Sequence, residues 1–212
     1  MTESPRSISV TGTGSAESVP DLLTISIGVE CRRDTVAEAY SEAGTRSAAI
    51  TAELRQHGVD STDMSTSGLN VRAELNWQDG RGQTVTGYLA SNTLTVRIRA
   101  LSASSQILAD AVAAGGDSVR LNGLSLGFAD PAAVEARARE AAWQDARTTA
   151  AHYAALSGAS LGRVLSLTQH TGFQAPIPVA KMQRAVAADS LTLEAGESSV
   201  TATVGVVWEL LD

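Results

Sequence analysis

The 212 residues carry 23 acidic against 16 basic side chains, a formal net charge of −7, with 43% hydrophobic and 18% charged residues. A chain of this kind is long enough to bury a core in one or two small domains, and its composition excludes disorder, collagen-like repeats and a disulfide scaffold. The acidic balance argues against nucleic acid as a partner, because neutralising phosphates takes Lys and Arg clustered on one face.

In chain order, Ile8-Ser-Val10 alternates briefly and meets Thr11-Gly-Thr-Gly14, which reads as a short strand running into a turn. After Pro20-Asp21, Leu23, Ile25, Ile27 and Val29 alternate with Thr24, Ser26, Gly28 and Glu30, the period of a strand buried on one face. From Asp34 the period changes: Val36, Tyr40, Ala43, Ser47, Ile50 and Leu54 form a helical stripe, with Asp34 as N-cap and Gly58 just past the C-terminus. Leu69, Val71, Ala73, Leu75 and Trp77 then share a strand face, Asp79-Gly-Arg-Gly82 turns the chain, and Tyr88, Ala90, Leu94, Val96 and Ile98 line the returning strand of a long hairpin. A short helix through Ile107, Leu108 and Val112, capped by Ser102 or Ser104 and closed by Gly115-Gly116, precedes a strand over 119–128 with a bulge or break at Asn122-Gly123. Asp130-Pro131 opens an Ala-rich helix to Leu156 with a stripe of Ala142, Ala146, Thr149, Tyr153 and Leu156; its alanines let it lie close to a sheet. Arg163–Gln169 reads as a strand, 171–198 as a loop, and Val200 to Leu210 as a closing strand. The order ββαββαβαββ predicts an α+β protein with antiparallel or mixed sheets and helices packed on them. Strand, long helix, strand, strand occurs near 22–100 and again near 119–211, suggesting two βαββ-like halves.

Few residues carry chemistry. Cys31 has no partner for an internal disulfide and ends an apolar strand, so it reads as a partly buried thiol, with an intermolecular disulfide as the alternative. The sole lysine, Lys181, lies in the long loop, which argues against lysine catalysis. Gly158-Ala-Ser160-Leu-Gly162 matches the G-x-S-x-G of a hydrolase elbow, but it leaves a helix and enters a strand, with Gly158 ending the helix and Gly162 as a turn residue. Only His170 follows Ser160, with no acid between them, so an esterase using Ser160 is the lesser alternative. Gly12-Thr-Gly14 begins like a dinucleotide fingerprint, but Glu17 stands at the third glycine position and the next element is a strand. His57, His152 and His170 show no ligand-like spacing to each other or to carboxylates, and Glu194 with Glu197 forms an isolated acid pair. Trp77 and Tyr88 bracket the hairpin tip; core packing is the default for both, and a projecting hairpin would also suit subunit contact. The expectation is therefore no catalytic residue, no cofactor site and no metal site. No apolar export or membrane segment is present, which predicts a cytoplasmic protein, or a periplasmic or secreted one if a signal was removed.

Ile8-Ser-Val-Thr-Gly-Thr-Gly14, Ser18-Val-Pro-Asp21, Ile25-Ser-Ile-Gly-Val-Glu30, Gly87-Tyr-Leu-Ala-Ser-Asn-Thr-Leu-Thr-Val-Arg97 and Ser157-Gly-Ala-Ser-Leu-Gly162 together resemble the SIMPL-domain family, over nearly the whole chain. The resemblance implies a single SIMPL domain over 1–212, and the internal echo suggests subdomains 1–100 and 119–212 joined by a short helix at 103–114. It further implies an α+β fold without established catalytic residues or cofactor, a homo-oligomer or protein adaptor, and a link in bacteria to envelope or oxidative stress. An adaptor would use the 171–198 loop or the 78–83 hairpin tip.

Overall fold

The computed structural model describes residues 6–78, 82–170, 177–179 and 196–212. Its elements are β1 (Ser7–Ser18), β2 (Leu22–Arg33), α1 (Val36–Gln56), β3 (Met64–Gln78), β4 (Gly82–Ile98), α2 (Ser104–Gly115), β5 (Val119–Gly127), α3 (Ala132–Leu156), β6 (Ser160–His170), β7 (Ile177–Val179) and β8 (Glu197–Leu211). The expected α+β class and element order hold, with β7 added inside the stretch read as a loop. All strand pairs are antiparallel and fall into two sheets, β3-β4-β2-β5 and β1-β8-β6, with β7 also paired to β8.

The chain forms two compact units. One holds β2, α1, β3, β4, α2 and β5; the other holds β1, α3, β6, β7 and β8. This division differs from the halves 1–100 and 119–212: β1 pairs along its whole length with β8, and α2 packs within the first unit instead of serving as a joint. The βαββ echo is present in another register. β2, α1, β3, β4 and β1, α3, β6, β8 each place the last strand between the first and third, so β1, not the strand at 119–128, opens the second copy.

In the first unit, the alternation in β2 sends Leu23, Ile25, Ile27, Val29 and Cys31 into a core with Ala90, Leu94, Val96 and Ile98 of β4. Each large apolar side chain buried here contributes roughly 1.5–3 kcal/mol. The face of α1 against them is Ala39, Ala43, Ser47, Ile50 and Leu54, while Val36 and Tyr40, expected on the stripe, are exposed. Alanines occupy the first turns of the buried face, and the larger side chains beside them are turned to solvent. The polar member of the stripe is satisfied, since Asn92 Nδ2 donates to Ser47 Oγ at 2.8 Å. The N-cap is Thr35 and not Asp34: Thr35 Oγ1 accepts from the Glu38 amide at 3.2 Å and donates to Glu38 Oε2 at 2.8 Å, a capping-box spacing. Gly58 stands past the C-terminus at φ 78° as expected. No serine caps α2; Ala103 holds the cap position, and Ser104 Oγ donates back to Leu101 O at 2.6 Å. The bulge expected at Asn122-Gly123 is present, because Gly123 opposes Ser26 and Leu121 opposes Ile27, leaving Asn122 as the extra residue.

The second unit is built on a close approach. Gly12 and Gly14 lie inside β1, opposite Val204 and Ala202, and not in a turn. A Cβ on Gly12 would stand 2.2 Å from the Ala142 carbonyl oxygen, and one on Gly14 would stand 2.1 Å from the Ala142 nitrogen, so the helix backbone rests directly on the strand. The matching face of α3 is Val134, Ala138, Ala142, Ala146, Ala150 and Ala154, a strict step of four. Tyr153 and Leu156, expected on the stripe, are exposed. α3 also satisfies edge groups of β1: Asp145 Oδ2 accepts from the Thr13 amide at 2.9 Å, and Arg137 donates to Glu17 O at 2.9 Å. Pro131 holds the cap position, and the Asp130 carboxylate accepts from the Ala132 amide at 3.0 Å. Trp143 and Trp208 pack in a tilted pair, ring centroids 5.7 Å apart and planes at 44°, beside Ala146, Ala150 and Val206.

Candidate functional site

β2 stops pairing with β4 at Arg33 opposite Tyr88, whereas β3 and β4 remain paired out to Gln78 opposite Gly82. Beyond Tyr88 the hairpin is therefore a two-stranded arm, a structure marginal in water without further packing. Thr86 is an extra residue between the pairs Glu74–Gly87 and Leu75–Val85. At the base, Arg32 Nε pairs with Glu74 Oε2 at 2.6 Å and Thr86 Oγ1 donates to Glu74 O at 3.2 Å. Further out, Leu75 is 52%, Val85 55% and Trp77 71% exposed. Leu69, Leu75 and Trp77 occupy one face by strand alternation, and Leu69 is exposed as well. Burial of Trp77 in the core is thus corrected: alternation assigned its face, but the core ends before it. Tyr88 does pack against the core. Leu75, Val85 and Trp77 thus place exposed large apolar side chains together on the two-stranded ribbon.

The other singled-out residues are scattered. Ser160 is exposed and opens β6 opposite Leu211. Gly158 ends α3 at φ 72°, but Gly162 lies within the bulged β6, against Glu209 and Leu211, and not in a turn. Cys31 is buried, as expected. His152 is exposed on α3 near the Tyr153 ring. His170 closes β6, and Glu197 opens β8 opposite Val179. Lys181 and Glu194 lie outside the described residues, as do 79–81 of the hairpin tip and most of the 171–198 stretch.

One grouping corrects the sequence reading. His57, at the C-cap of α1, has Glu53 four residues before it on the same helix face, and α2 brings Asp110 to meet them. His57 Nε2 lies 2.9 Å from Asp110 Oδ2 and 3.5 Å from Glu53 Oε1. Gln106 Nε2 donates to both Asp110 oxygens at 2.9 Å. The Glu53–His57 spacing of four was visible in the sequence; the Asp110 contact is tertiary.

A second cluster is structural. Asp63 is buried and receives Arg99 through both oxygens, at 2.9 and 3.0 Å, with Arg97 Nη2 at 3.0 Å. The Arg99 hydrogen bonds hold its carboxyl below the ordinary value of 3.8, against an opposing push from burial.

Two βαββ units, one extended by a two-stranded arm with exposed apolar side chains, define an α+β protein. Residues 8–208 match the family described as SIMPL, protein of unknown function (DUF541). The 26 kDa periplasmic immunogenic protein of Brucella melitensis is 30% identical over 220 aligned residues, covering 99% of this chain and 87% of the relative. The uncharacterized protein YggE of Escherichia coli K12 is 32% identical over 181 residues, covering 85% of this chain and 72% of the relative. This chain belongs to the SIMPL family. The expected cytoplasmic placement is corrected by the same comparison, because the Brucella melitensis and Brucella abortus relatives are both named periplasmic proteins, which points away from the cytoplasm. Among the described residues, no helix is long and apolar enough to cross a membrane.

Proposed function

We propose that the chain is a non-enzymatic binding module of the periplasm that associates with copies of itself through the β3–β4 arm. The observation that carries this reading is the exposure of Leu75, Val85 and above all Trp77 on a ribbon that β2 does not reach. Covering such a ribbon removes apolar area from water at about 25 cal/mol per Å² and supplies packing that two strands lack on their own. The exposed place of Ser160 at the start of β6, entered from α3 rather than opening a helix, favours a non-enzymatic role, and the family resemblance favours a link to envelope or oxidative stress. Light scattering across a concentration series tests the reading. Mass rising to a defined multiple of the 21.9 kDa protomer is expected; a monomer at every concentration overturns it.

A further inference from the structure

We propose that Glu53, His57 and Asp110 form a binding site for one divalent transition-metal ion, of the zinc class, clamping the end of α1 to α2. Two carboxylates converge on a single ring nitrogen, and their oxygens and that nitrogen all lie within 4.8 Å of one another. Nε2 carries at most one hydrogen, and Asp110 Oδ2 at 2.9 Å takes it, while Glu53 Oε1 stands at 3.5 Å, beyond a good hydrogen bond. Among the described residues, neither carboxylate has an Arg partner, so their mutual repulsion is met by one imidazole and one amide. A divalent cation would satisfy both at once.

The spacing suits such an ion. Tetrahedral zinc with N and O ligands at about 2.0–2.1 Å separates its ligand atoms by roughly 3.3 Å. The 2.9 Å and 3.5 Å distances from Nε2 bracket that value, so small side-chain movements bring the three atoms into a coordination sphere. One imidazole with two carboxylates matches the N/O donor set of zinc and its neighbours, and excludes the soft thiolate chemistry of copper(I). Gln106, holding both Asp110 oxygens, orients that carboxylate from outside the sphere. The side chains of Glu53, His57 and Asp110 are 28%, 27% and 34% exposed, so an ion reaches them from solvent and a water completes its sphere. On binding, the His57 ring hydrogen sits on Nδ1 while Nε2 takes the metal.

The test titrates Zn²⁺ into the 212-residue protein by calorimetry and follows the thermal unfolding midpoint with and without the ion. One ion per chain and a raised midpoint are expected, because an ion bound only by the folded form stabilises it. His57→Gln and Asp110→Asn, confirmed as folded by circular dichroism, should each weaken binding by about tenfold or more and abolish the thermal shift; Gln106→Ala should weaken it by roughly tenfold through the lost orientation. Glu53→Gln provides the same test at the ligand least involved in joining the helices. The absence of zinc binding overturns the site, and so does binding that persists undiminished in the folded variants, which would place the ion elsewhere.

Discussion

Replacing Gly14 by alanine adds one methyl group at the closest contact in the second unit. Its Cβ would lie 2.1 Å from the Ala142 nitrogen and 2.5 Å from the Ala138 carbonyl oxygen, where roughly 3.5 Å is comfortable. Backbone atoms cannot rotate away, so α3 must retreat from β1 by about 1 Å along Ala138, Ala142 and Ala146, and a gap of that size forfeits a quarter to a half of the dispersion contact there. The retreat also stretches the bond from the Thr13 amide to Asp145. Overpacking of this kind costs about 1–3 kcal/mol, the lost hydrogen bond about 1, and relief of glycine's backbone entropy returns about 0.5–1. A net loss of about 1–3.5 kcal/mol lowers the unfolding midpoint by roughly 2–14 °C for a chain of this size. Thermal and urea denaturation followed by circular dichroism, with the Trp143–Trp208 pair as a fluorescence reporter in the same unit, measure it. Wild-type stability in Gly14→Ala would refute the close-approach account of β1 and α3.

Gly44 is the opposite case: it is exposed within α1, and a Cβ there meets nothing within 4 Å, so Gly44→Ala should stabilise the first unit by about 0.5–1 kcal/mol in urea melts. Because the folded-state pKa of Asp63 is lowered by Arg99, its stabilisation is present above the ordinary value of 3.8 and is lost as pH falls through the lower folded value. Asp63→Asn should therefore lower stability at neutral pH and flatten the acid limb of a stability-against-pH curve; an unchanged acid limb would contradict the assigned role. Wild type and Ser160→Ala should both hydrolyse nitrophenyl esters at background rate, and turnover that disappears in the variant would reinstate the hydrolase reading.

Much of the fold is legible because one-sided burial leaves a period in the sequence. The alternation of β2 reports a face that meets a core, and the stripe read for α3 meets the buried face at Ala142 and Ala146. The misread positions share a cause. Gly12 and Gly14 carry the local signature of a turn, yet they are required by a helix more than 120 residues away, a contact invisible in any local window. Val36, Tyr40, Tyr153 and Leu156 are exposed large side chains, and at those turns the buried face is carried by the alanines beside them. Trp77 had the right face but lay past the end of the core, and a periodicity does not say where the covering element stops. The Glu53–His57 pair was within reach of helical spacing, whereas Asp110 required the packing of α2 on α1.

The central claim, association through the β3–β4 arm, is tested most directly by sedimentation equilibrium on wild type beside Trp77→Ser. Trp77 is 71% exposed, so the substitution should leave the unfolding free energy of the isolated protomer, measured at a concentration where wild type is dissociated, within about 0.5 kcal/mol of wild type while reducing the associated mass to that of one protomer. An equally stable variant that keeps the wild-type assembly, or a wild type that sediments as a monomer at every concentration, would contradict it.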